Sequence, residues 1–132
     1  MFRRIIYRLK KGDRGVSVIE FALLLPLLIT LVIGIIEFGW ILTGYITVTG
    51  AAREGVRVAV VDGDYVQAVY NHTASMPALV IDTPSLEESA FGEKMTVTVT
   101  GSLSTLVGFF DFLGDTYNFN AEASMRQEFK ND

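Results

Sequence analysis

The segment FALLLPLLITLVIGII, residues 21–36, decides the fold. Apart from Pro26, Thr30 and Gly34, every residue in it is a bulky aliphatic, a phenylalanine or an alanine, and glutamates stand at its two ends, Glu20 and Glu37. The segment falls a little short of a hydrocarbon core of about 30 Å. Residues 16–19 and 38–46 extend the apolar character far enough to cross it. A transmembrane helix is therefore expected, spanning the bilayer to about residue 46. Pro26 removes one backbone donor and is expected to bend or loosen that helix, which membrane helices tolerate when neighbouring groups satisfy the freed carbonyl. Trp40 and Tyr45 fall where the outer interface would lie.

Outward from this segment, helical character is expected to continue to about Val61, where Asp62-Gly63-Asp64 breaks it. The result is a rod of roughly 45 residues, about 65 Å long at the standard rise. The remaining chain is too small to bury all of it. Asp64 can cap a second helix over residues 65–75, with Val66, Val69 and Tyr70 on one face, ended by Met76-Pro77. Residues 78–92 read as a weak strand and then an acidic loop. Met95, Val97 and Val99 alternate with threonines, the pattern of a strand closed by Gly101. Leu103, Leu106, Val107 and Phe110 recur at helical spacing behind a Ser102 cap, which predicts a short amphipathic helix ending at Gly114. From Tyr117 to Arg126 apolar and polar residues alternate again, a second strand with one wet face. The expected fold class is α+β: a long N-terminal transmembrane helix, a rod, carrying a small domain of two to three antiparallel strands with short helices. The expected division is a basic segment 1–15, the long helix 16–61 and the small domain 62–132.

Charge orients this arrangement. Residues 1–15 hold six basic side chains against Asp13, a net +5, while the rest of the chain holds five basic against fourteen acidic, a net −9. A basic flank before an apolar span fits the positive-inside rule, with a cytoplasmic N-terminus and an exported C-terminal part. The acidic body would repel phosphates, so nucleic acid is not an expected partner; the basic cluster beside the bilayer suits anionic lipid. The chain has no cysteine, which excludes disulfides and thiolate metal sites.

The junction Arg14-Gly15-Val16-Ser17-Val18-Ile19-Glu20-Phe21 resembles the processing site of type IV pilins and pseudopilins, a basic leader ending in glycine and then an apolar helix with glutamate fifth. The resemblance implies cleavage by a prepilin peptidase between Gly15 and Val16. It also implies subunit assembly through Glu20 and Phe21, with Glu20 meeting the freed terminal amine of a neighbouring subunit. The physics is compatible, because a carboxylate in an apolar helix is costly unless paired. The alternative is a glutamate that snorkels to the headgroups. Ile36-Glu37-Phe38-Gly39, residues 51–57 (AAREGVR) and the strand from Lys94 are further similar to the TadE-like family of tight-adherence (Tad, or Flp) pilus systems. That resemblance implies a minor pilin or pseudopilin acting in pilus assembly and surface adhesion. Its expected partners are the peptidase, other pilin and pseudopilin subunits, the inner-membrane assembly platform and the lipid bilayer.

Other residues carry weaker signals. Glu37 lies seventeen residues beyond Glu20, about 25 Å along a helix, and is expected at the opposite membrane face, either solvated or in a subunit contact. Arg53, Glu54 and Arg57 share a turn region; Glu54 and Arg57 can pair at i,i+3, and only the family pattern suggests a docking role for them. Gly34, Gly39, Gly44 and Gly50 would allow close helix approach but form no GxxxG pattern. Phe110 reads as core, leaving Phe109 or Phe112 for a partner surface. Asp62-Gly63-Asp64 lacks the remaining ligand spacing of a calcium loop and reads as a turn with a cap. His72 has no partner motif for a triad or zinc site, and there is no phosphate or dinucleotide fingerprint, so neither enzymatic activity nor a cofactor is expected. Two rival readings remain: an uncleaved membrane-anchored scaffold or binding protein, and a secretory signal peptide over residues 1–52, for which Thr49-Gly50-Ala51 is a poor cleavage site.

Overall fold

A long apolar run favours one continuous helix despite Pro26, and α1 runs from Phe2 to Ala59. The computed structural model describes residues 2–89, 94–108 and 114–127, with side chains from residue 15 onward. Two compact units divide the chain, residues 1–36 and residues 37–132. In the first unit the helix continues through Pro26, and the Thr30 hydroxyl donates to the Pro26 carbonyl at 2.8 Å. Apart from the half-buried Ile33, its large apolar side chains between Val16 and Ile36 stand exposed.

The second unit begins at Glu37 and holds the outer part of α1 with everything after it. The helix ends in a Schellman-type cap: the Gly63 amide donates to the Val58 carbonyl and the Asp62 amide to that of Ala59, both at 3.0 Å. Asp62 takes the left-handed conformation that such a cap requires, φ 56°. Two residues on, the Asp64 carboxylate accepts from the Gln67 amide at 3.0 Å and starts α2, Tyr65–Thr73. The expected cap is thus present. Asp64→Ala should destabilise the unit by about 1 kcal/mol in urea unfolding, the usual worth of an N-cap.

Four strands follow: β1 Leu79–Ile81, β2 Ser85–Glu88, β3 Lys94–Ser104 and β4 Thr116–Arg126. β3 is central. One of its edges pairs antiparallel with β4 along the whole length, from Lys94↔Arg126 to Ser104↔Thr116. The other is shared end to end by β1 (Leu79↔Leu103) and β2 (Ser85↔Thr98). Met95, Val97, Val99 and Leu103 of β3 and Phe119 and Ala121 of β4 form one core with Val48, Ala51, Ala52, Val56 and Ala59 of α1 and Val69 of α2. Asn118, Asn120, Glu122 and Ser124 form the wet face expected of the last strand.

The α+β class is as read from sequence, but the sheet has four strands where two to three are expected. β2 lies in what reads as an acidic loop; all four of its side chains are exposed, so it has no alternation to announce it and is held by backbone pairing. Gly101 does not close β3. It lies within the strand, where an added Cβ would come within 2.8 Å of Ile81 Cδ1. Leu103, two residues on, therefore keeps the strand period and points into the core, and the helix expected behind Ser102 does not start there. The aromatic residues Phe109, Phe110 and Phe112 lie outside the described residues. Among the described residues α2 is the single short helix.

Candidate functional site

Glu37 is the one charged side chain buried among the described residues, only 3% exposed. Its carboxylate faces the bend after β3. The Leu106 amide donates to Oε1 and Oε2, each at 3.2 Å, and the Val107 amide donates to Oε2 at 3.1 Å. A buried carboxylate is tolerable when donors replace its water, and here two backbone amides do so. One turn away the Trp40 indole donates to the Ser104 carbonyl at 3.2 Å. Glu37 and Trp40 together tie the first turns of the second unit to the end of β3. Of the two expectations for Glu37, solvation and a subunit contact, the first does not hold, because the carboxylate is buried within its own unit.

Above this clasp, glycines admit the sheet and α2. A Cβ on Gly44 would lie 2.9 Å from Leu103 Cδ2 and 3.0 Å from Phe119 Cε2. On Gly55 it would lie 2.9 Å from Val69 Cγ2 and 3.1 Å from Val97 Cγ1. Gly50 lies under the His72 ring, with Nε2 2.5 Å from where a Cβ would be. Gly39 has nothing within 4 Å. Of the glycines read as helix-approach sites, Gly44 and Gly50 therefore serve packing within the chain. His72 is exposed, and no group of three histidine or carboxylate side chains among the described residues could hold a metal.

The Arg57 guanidinium donates to both Glu54 oxygens, at 2.9 and 2.5 Å, while Arg53 is exposed. The Arg57 hydrogen bond holds the Glu54 carboxyl below its ordinary value. With a depressed folded-state value, the pair's contribution is present above the ordinary carboxylate range and lost as pH falls through the lowered value. On a solvated surface that contribution is small. Gly15, Val16, Glu20 and Phe21 belong to the first unit; Glu20 and Phe21 are exposed on α1, and a Cβ on Gly15 would meet nothing within 4 Å.

The model of the TadE-like protein family matches residues 15–57. Over that stretch the chain is similar to the family. No curated protein and no solved structure matches it. The matched segment starts at Gly15 and contains Gly15, Val16, Glu20, Phe21, Glu37, Arg53, Glu54 and Arg57, but not the partner-surface candidates Phe109 and Phe112. The match supports a protein associated with a Tad pilus. Among the described residues, Gly15–Ala59 is the helical stretch long and apolar enough to cross a membrane, which suggests a membrane anchor. The partners that sequence reasoning missed, Leu106, Val107 and Ser104, all lie beyond the TadE-like segment and act through backbone atoms.

Proposed function

We propose that this protein is a TadE-like minor pilin or pseudopilin, cleaved by a prepilin peptidase after Gly15 and used in assembling a Tad pilus that serves surface adhesion. The observation that carries the reading is the start of the TadE-like match at Gly15, which makes Glu20 the fifth residue of the cleaved chain. Cleavage would free the Val16 amine. A carboxylate on an exposed apolar helix would then have a cationic partner on a neighbouring subunit, and helix packing would supply the rest of the association. The side-chain exposure of Glu20 and Phe21 supports this reading, because neither is used within its own unit. The charge division supports insertion in the inner membrane with the N-terminus cytoplasmic and the body exported. In this role the chain catalyses nothing; it is a substrate for the peptidase and a building part for the assembly platform.

Intact-mass and N-terminal analysis tests the proposal on protein from native membranes and from sheared surface fibres, wild type against Gly15→Ala. Alanine meets no neighbour at position 15, so misfolding would not account for a processing defect. The expected result is a start at Val16 for the wild type, in fibres as well as membranes, and an uncut chain for the variant. An uncut wild-type chain in cells with an active peptidase would leave a membrane-anchored scaffold instead.

A further inference from the structure

Beyond the clasp, the outer surface of α1 in the second unit changes chemistry along its length. Phe38, Leu42, Tyr45 and Ile46 lie within about 100° of arc at 3.6 residues per turn. These four and Leu106 at the β3 bend are each 45–67% exposed. The same stripe then continues through Thr49 to the exposed Arg53. Folding does not explain the change, because the opposite face of the helix is buried against the sheet at both levels, Gly44 and Val48 below, Ala51 and Gly55 above. A stripe facing water would have no reason to be apolar for its first two turns and polar at the next positions, Thr49 and Arg53. A stripe that leaves lipid would.

We infer that the bilayer surface crosses the folded unit at the level of residues 45–49, so that the base of the unit is immersed in lipid. This rests on the membrane-anchor reading of the apolar helix. Glu37 to Ile46 is a rise of about 13 Å, more than the interfacial layer of about 5–8 Å on each side of the hydrocarbon. Immersion requires that polar groups be satisfied internally. The base meets that requirement: the Glu37 carboxylate takes two amides, the Trp40 indole takes the Ser104 carbonyl, and the Thr43 and Thr47 hydroxyls donate to the Gly39 and Thr43 carbonyls, both at 2.8 Å. Arg53, one turn above Thr49, stands at the level of the lipid phosphates.

The chain has no cysteine, so single thiols can report depth on the full-length protein. Ile29→Cys, Leu42→Cys, Leu106→Cys and Val61→Cys are each labelled with an NBD fluorophore. They are then reconstituted in phosphatidylcholine–phosphatidylglycerol vesicles with or without brominated acyl chains. All four native side chains are 45–75% exposed, which spares the core. Labels at 42 and 106 are expected to lose emission to bromolipid as the label at 29 does, while the label at 61 keeps it. Quenching at 29 but not at 42 and 106 would overturn the immersion and leave the anchor standing. Loss of quenching at 29 as well would overturn both. A label at 42 shielded from bromolipid and from aqueous iodide alike would mean that a second protein surface covers the stripe, which also overturns the inference.

Discussion

Replacing Glu37 by alanine should destabilise the second unit by about 3 kcal/mol, because two amides lose a charged, buried acceptor and a small cavity is left in their place. For a unit of this size the loss corresponds to a fall in Tm of roughly 10–20 °C. Trp40 is the only tryptophan and bonds the same bend through Ser104, so its fluorescence during urea unfolding in detergent micelles reports the clasp directly. Glu37→Gln keeps an oxygen to accept one amide but gives up the charge, and should cost about half as much. Hydrogen exchange at Leu106 and Val107 should speed up most in Glu37→Ala, and the β3–β4 ladder around Val97 less. An alanine variant as stable as wild type, with both amides still protected, would show that the clasp contributes nothing.

Glu37 also marks where sequence reading stops. Its position after sixteen apolar residues singled it out, yet nothing in the sequence could name its partners, since the donors are backbone amides 69 and 70 positions away. The long helix was legible because membrane spans are set by length and apolarity alone, and Asp64 because an N-cap is a local event. β3 and β4 were legible where residues alternate, at Met95-Val97-Val99 and Phe119-Ala121. β2 was not, because an edge strand held by its backbone leaves no side-chain pattern. Leu103 misled through coincidence: Leu103, Leu106 and Val107 fit a helical period, while the strand period from Val99 through Gly101 to Leu103 was hidden by a glycine taken for a terminator. Of the rhythm Gly44, Val48, Ala51, Ala52, Gly55 and Ala59, over which the sheet lies, only Gly44 reads from sequence as a site of close helix approach, because small residues show where a partner can come near but not which partner does.

That rhythm carries the other large effect. Gly55→Leu should cost at least the upper end of the about 1–3 kcal/mol typical of overpacking, and is expected to leave the second unit largely unfolded in mild urea. The first added atom already falls 2.9 Å from Val69 Cγ2 and 3.1 Å from Val97 Cγ1. Both valines are fully buried, one on α2 and one on the central strand, and β-branched side chains have few rotamers to give. Even Gly55→Ala should show a net loss, the strain outweighing a helix-propensity gain of roughly 1 kcal/mol. Gly50→Ala makes a closer nominal contact, yet its neighbour is the exposed ring of His72, which can rotate away, so that variant should be near neutral. Gly39→Ala, with nothing within 4 Å, should be neutral or stabilising by the same propensity term. Urea midpoints that rank the alanine variants with Gly55 lowest and Gly39 highest would establish that α1 is pressed onto the sheet by its glycines. A Gly55→Ala variant more stable than wild type would mean that α2 can move off the helix without loss, and that the core is closed elsewhere.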